Sequence, residues 1–125
     1  MKIYELDEPE NIKDAIGILD IIFEETGKNN KDEIDYFNNS KTSDIMYEYH
    51  HSLGTTIRNA WLWPKNPNQI SNIYKLFFNR GIRHPDDMSG FLLRLFWYYK
   101  HEQKISLEKH IERMFNEIII KDILE

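Results

Sequence analysis

Apolar residues recur at three- and four-residue intervals over most of the chain, which is the period of an α-helix. Ile12, Ala15, Ile16, Leu19, Ile22 and Phe23 form the first stripe. They predict a helix over about residues 8–25, with Asp7 as its cap, Pro9 in its first turn and Glu10 completing a D-x-x-E box. Gly27 reads as its stop. Lys31 to Asn38 predicts a short second helix with Ile34 and Phe37 facing inward, and NNSKTSD a loop that ends in a cap at Thr42 or Ser43. A third helix is expected from about Asp44 to Asn59, turning Ile45, Tyr49, Leu53, Thr56 and Ile57 to the core. The segment WLWPKNP breaks it with two prolines.

Asn68 or Ser71 is placed to cap a fourth helix carrying Ile70, Ile73, Tyr74, Phe77 and Phe78, and Gly81 ends it. Pro85 suits the first turn of a fifth, where Asp86 and Asp87 lie at the positive end of the helix dipole. Met88, Phe91, Leu92, Leu95, Phe96 and Tyr99 line its core side. Ser106 caps a sixth helix, whose stripe is Leu107, Ile111, Met114, Phe115, Ile118, Ile119 and Ile123. The β-branched run Ile118-Ile119-Ile120 sits inside that helical pattern, and no Asn-Gly or Asp-Gly hairpin signal occurs. With no internal repeat and no linker, residues 1–125 read as one all-α domain, a bundle of five to six helices.

Composition narrows the class. Aromatics at 14% exclude a disordered chain, and 5 Gly with 4 Pro exclude collagen-like and low-complexity ones. No apolar run approaches the roughly 18–20 residues of a membrane-spanning helix. MKIYELDEPE lacks the apolar region of a signal peptide. With no cysteine there is no disulfide framework, thiolate metal site or thiol nucleophile, and the expected location is the cytoplasm. Net charge is −5 but unevenly spread: residues 1–50 hold 13 acids against 5 lysines, and residues 51–125 hold 8 acids against 11 Lys and Arg. An acidic block of this kind steers a basic partner or simply solvates a surface. It disfavours general nucleic-acid binding, which draws on clustered Lys and Arg.

The densest polar constellation is His50, His51, Arg58, Asn59, His84, Asp86 and Asp87. A metal reading gathers His50, His84, Asp86 and Asp87, although adjacent residues on a helix point about 100° apart. An acid–base reading makes His50 or His84 the base and Arg58 an anion clamp, without a fixed nucleophile or phosphate loop. A structural reading has Asp86 and Asp87 capping the fifth helix, one of them taking Arg58 in a forked pair, while Asn59 bonds the loop backbone. Among the aromatics, Phe96-Trp97-Tyr98-Tyr99 circles a helix, so Trp97 and Tyr98 are candidates for a partner surface, with Trp63 a second candidate.

The stretch His50–Ser89 resembles a small bacterial domain family of unknown function. The residues that carry the likeness are His50, Gly54, Ile57-Arg58-Asn59, Trp61, Leu62-Trp63, Phe77 and the run Gly81-Ile82-Arg83-His84-Pro85-Asp86-Asp87-Met88-Ser89. One residue fewer separates Trp61 from Trp63 than in the family pattern, and Pro64 is added. The resemblance implies a helical domain and carries no activity.

The expectation from the whole sequence is a non-enzymatic immunity protein. It would bind and neutralise a cognate toxin with a basic surface, such as a nuclease of a contact-dependent or polymorphic toxin system. Glu24, Glu25, Asp32, Glu33 and Asp35 are the expected acidic contacts and Trp97 and Tyr98 the anchors. No cofactor, metal, nucleic acid or membrane is expected. The alternative is a small enzyme or a ligand- or metal-binding domain acting through His50, Arg58, His84 and Asp86, and the burial of Arg58 against a carboxylate decides whether that cluster is scaffold.

Overall fold

The computed structural model describes residues 8–64, 66 and 68–124, with residues 119–124 described by backbone alone. The expected Asp7 cap lies outside the described residues. Among them the fold is all-helical and holds seven α-helices. These are α1 (Ile12–Asn29), α2 (Lys31–Asn39), α3 (Thr42–Tyr49), α4 (Leu53–Ile57), α5 (Asn72–Asn79), α6 (Pro85–His101) and α7 (Leu107–Leu124). A π-helical turn, Arg58–Leu62, continues α4.

Helix α1 begins at Asn11, whose side chain accepts from the Asp14 amide, and runs past Gly27 to Asn29. Gly27 is therefore no helix stop. A Cβ there would lie 3.1 Å from Cγ1 of Ile34, so the missing side chain lets α2 fold back close against α1. The stop is Asn30. It closes α1 through its backbone amide on the Thr26 carbonyl, and its side chain caps α2 by accepting from the Glu33 amide.

The expected third helix is broken into α3, α4 and the π turn. The break between α3 and α4 falls at residues 50–52, and hydroxyls cluster around it. Ser52, Thr55 and Thr56 turn their hydroxyls onto the carbonyls of Glu48, His51 and Ser52, four residues back, a bond that slightly weakens and bends a helix. In the π turn the Trp63 amide reaches back five residues to the Arg58 carbonyl at 2.8 Å. That one-residue expansion swings Trp61 and Leu62 into the core.

Helix α6 is the central element and packs against α1, α3, α4, α5, α7 and the π turn. This is why Ser89, Gly90 and Leu93 are buried along with the expected Met88, Phe91, Leu92, Leu95 and Phe96. His84 caps it, Pro85 opens it, and Lys100 and His101 sit in its last turn at the negative end of the dipole. Gly81, at φ 94°, takes the left-handed conformation that ends α5. Ser71 caps α5 and Ser106 caps α7, as the sequence predicts.

Aromatic rings fill the core in edge-on and tilted pairs. Phe23, Phe37 and Phe96 join α1, α2 and α6, while Phe77, Phe91 and Phe115 join α5, α6 and α7. Lys100 ties α6 to α1 through Asp20 at 2.8 Å and Glu24 at 3.4 Å. Burial works against its charge, but the hydrogen bonds and charges of Asp20 and Glu24 outweigh that and raise its pKa.

Candidate functional site

The motif residues meet where α3, α4 and the N-terminus of α6 converge. Arg58 is the hub, its side chain only 8% exposed. Nη1 donates to Ser89 Oγ at 2.8 Å, and Nη2 donates to the His50 carbonyl at 3.0 Å and to Thr55 Oγ1 at 2.9 Å. Nε faces Asp86 Oδ1 at 3.3 Å. One guanidinium thus satisfies the end of α3, a side chain of α4 and the first turn of α6. Its planar fork of donors suits that task, and the single ammonium of a lysine does not. Ser89 Oγ passes the bond on by donating to the Asp86 carbonyl at 3.0 Å.

The glycine of the motif has its reason here. A Cβ on Gly54 would fall 3.0 Å from Nη1 of Arg58 and 3.1 Å from the Tyr49 carbonyl oxygen. The buried arginine therefore needs a residue without a side chain four positions before it.

His84 Nδ1 accepts from the Asp86 amide at 3.0 Å and lies 3.8 Å from Asp86 Oδ2. The exposed Trp63 sets its edge against the His84 ring, with centroids 5.7 Å apart. Asp87 is exposed and forms no ion pair among the described residues. Asn59 is exposed too, and among the described residues no hydrogen bond ties its side chain to the loop backbone that the sequence led one to expect. It is Ser71 that bonds this backbone, on the Trp61 carbonyl at 2.5 Å. Trp61 is buried, and its Nε1 has no partner among the described residues.

His50, Asp86 and Asp87 do share one groove of about 610 Å³, with Arg83 and Arg94 at its rim and Met46, Phe91 and Met114 among its apolar lining. Its chemistry is limited. Arg94 is tied to Glu117 at 3.1 Å and to the Tyr98 hydroxyl at 3.3 Å. No three His, Asp or Glu among the described residues converge in a way that could hold a metal ion, so the four-ligand metal set is not assembled. The hydroxyls of this cluster, Ser89 and Thr55, serve Arg58 and backbone carbonyls rather than a histidine ring.

Trp97 and Tyr98 are half-buried. Trp97 stacks on His101 with centroids 4.0 Å apart, and its Nε1 donates to Ser40 Oγ at 3.3 Å. Tyr98 stacks on His110 and receives the guanidinium of Arg113 at 4.8 Å from its centroid. Both rings are largely spent on the fold. His110, which the sequence reading passed over, is fully buried. Its Nδ1 takes a bond from Arg113 and its Nε2 gives one to the Glu102 carbonyl, each at 3.0 Å.

The five acids divide. Glu24 answers Lys100, and Glu25 is half-buried. Asp32, Glu33 and Asp35 are exposed on α2. Beside them stand two exposed tyrosines that sequence reasoning missed, Tyr36 at 43% and Tyr47 at 81%. Partial burial and the charges of Glu48 and Asp44, both on α3, raise the Tyr36 pKa. On α3 itself Asp44, Tyr47 and Glu48 follow the three- and four-residue spacing of one helix face. The signal in the sequence was the polar surroundings of these two rings, unlike the apolar runs around Trp97 and Tyr98.

A model of a family described as a domain of unknown function, DUF6794, matches residues 8–100. The chain belongs to this family. The DUF6794 match takes in α1 to α5 and nearly all of α6, including the whole Arg58 cluster, and leaves α7 beyond it. Neither the curated proteins nor the solved structures contain a match. No helix among the described residues is long and apolar enough to cross a membrane.

Proposed function

We propose that this DUF6794 protein is an interaction protein that binds a basic protein partner through the acidic, tyrosine-bearing face of α2 and α3. In its specific form it is an immunity protein, a cytoplasmic antitoxin that masks a cognate toxin domain, of the nuclease kind, from a contact-dependent or polymorphic toxin system. The observation that carries this reading is the exposure of Tyr36 and Tyr47 among Asp32, Asp35, Asp44 and Glu48. Large amphipathic rings left in water are what interface anchors require, and a surrounding field of one sign speeds capture of an opposite charge. The burial of Arg58 takes away the anion clamp on which the enzymatic alternative depends.

The test is purification of the full chain from its native host at low ionic strength, with mass spectrometry of what accompanies it. The expected result is a stoichiometric protein with a basic domain. Replacing Glu24, Glu25, Asp32, Glu33 and Asp35 by amides is expected to slow association, and Tyr36→Ala with Tyr47→Ala to speed release. Binding left unchanged by both sets of substitutions, or no stoichiometric partner at all, overturns the proposal.

A further inference from the structure

A half-open pocket of about 390 Å³ lies between α1, α2, α3, α4 and α6. Close-packed interiors leave few voids larger than a water molecule, while small-ligand sites begin near this size. Leu19, Phe23, Ile34, Ile45, Leu53 and Phe96 supply much of its apolar wall. Glu33 and Tyr49 also line it; Glu33 is exposed, and its Oε2 accepts from Asn30 Nδ2 at 3.3 Å. Thr26, Ser52 and Thr56 complete the polar lining, and their hydroxyl protons are committed to the carbonyls of Ile22, Glu48 and Ser52. Toward a ligand these oxygens act as acceptors. Among the described residues no Lys, Arg or His lines the pocket. At the Tyr49 hydroxyl burial first, then Glu33, Tyr36 and Glu48, push the pKa up to about 12.

We propose that this pocket binds a small primary amine with a compact apolar body, the ammonium held at the mouth by Glu33 and the body lying among the side chains of α1, α3, α4 and α6. An ammonium brings three donors and no acceptor, which complements a rim of acceptors. A carboxylate ligand meets like charge and no cation there. The pocket shares Glu33 with the acidic contacts proposed for the partner, but its ligand is a different one. A titration with a small molecule needs no partner, so either proposal fails without the other.

The experiment titrates the full chain near neutral pH with hexylamine, hexanol and hexanoate. It follows the methyl resonances of Ile34, Ile45 and Leu53, together with the melting temperature. Hexylamine is expected to give saturable shifts confined to the pocket and to raise the melting temperature. Its affinity should exceed those of hexanol and hexanoate by about tenfold or more, the size of one charge-assisted hydrogen bond. Glu33→Gln is expected to remove that preference while leaving hexanol binding unchanged. Leu53→Phe narrows the pocket and should weaken the binding of all three probes, with circular dichroism confirming the fold; Ile34→Phe serves if Leu53→Phe does not fold. Overturning results are no saturable shift with hexylamine, hexanoate or hexanol bound as tightly as the amine, or an amine preference that survives Glu33→Gln.

Discussion

Gly54 and Arg58 are fitted to each other: the space a Cβ would take at Gly54 ends 3.0 Å from Nη1 of Arg58. The arginine is held by four partners and the Tyr49 carbonyl lies 3.1 Å from that same point, so neither neighbour yields cheaply. Gly54→Ala is expected to cost about 1–3 kcal/mol by overpacking, despite the higher helix propensity of alanine. Arg58→Ala is expected to cost about 2–5 kcal/mol by leaving Asp86 and the buried acceptors without their donor. Because the methyl and the guanidinium compete for one space, the double variant should be more stable than the sum of the two losses. Urea denaturation of the four proteins measures this, and strict additivity would refute the coupling.

Asp86 and Asp87 are neighbours at the start of α6 but do different work. Both gain from the helix dipole, and Asp86 alone also faces Arg58. Asp86 is 48% exposed, so solvent screens part of that pair. Asp86→Asn is expected to lower stability by about 1 kcal/mol more than Asp87→Asn, a difference that chemical denaturation resolves. Equal losses would mean that only the helix dipole matters at this end of α6.

Helix positions and most of the core were legible because one apolar stripe per helix repeats at the right spacing, as in Ile12, Ala15, Ile16 and Leu19 or Met88, Leu92 and Leu95. The break at His50–Ser52 was not legible. Periodicity ran through it from Ile45 to Ile57, and what marks the break is tertiary: an arginine claims the His50 carbonyl eight residues back. Gly27 misled for the opposite reason, since a glycine that admits a neighbouring helix and one that ends a helix look alike in one dimension. At the motif, residue types suggested a forked pair between Arg58 and one of Asp86 and Asp87; the structure takes Asp86, through Nε alone, because both Nη atoms are given to Ser89, Thr55 and the His50 carbonyl. Those further acceptors were not legible, since they depend on how α4 lies on α6. The exposed Tyr36 and Tyr47 were missed because a tyrosine at helical spacing is usually core.

Tyr49 makes stability depend on pH in the alkaline range. Burial, Glu33, Tyr36 and Glu48 hold its pKa near 12 in the folded chain, against 10.0 for an unperturbed tyrosine. Folding therefore favours the protonated phenol. The stabilisation belonging to this group is whole below pH 10 and is lost as pH rises from 10 toward 12, because the unfolded chain releases the proton first. Tyr49→Phe should flatten that decline, and it should remove the latest phenolate from an ultraviolet absorbance titration. A wild-type titration in which all tyrosines ionise together would contradict this account.

His110 closes the junction between α6 and α7. It is fully buried, yet both ring nitrogens are bonded, one to Arg113 and one to the Glu102 carbonyl at the end of α6. Arginine has only donors, so Nδ1 accepts, and Nε2 carries the proton given to the carbonyl. The ring also stacks on Tyr98 with an interplanar angle of 15°. His110→Phe keeps an aromatic ring, though a larger one, but removes both hydrogen bonds, leaving the Glu102 carbonyl to the Ile105 amide alone. The expected cost is about 1–2 kcal/mol. The loss should also be local, because His110 touches α6 only near its C-terminal end. Amide hydrogen exchange should quicken in α7 and the 102–106 turn while α3 and α4 keep their relative protection. Uniform loss of protection over the whole chain would instead show that α7 and the Arg58 cluster open as one cooperative unit.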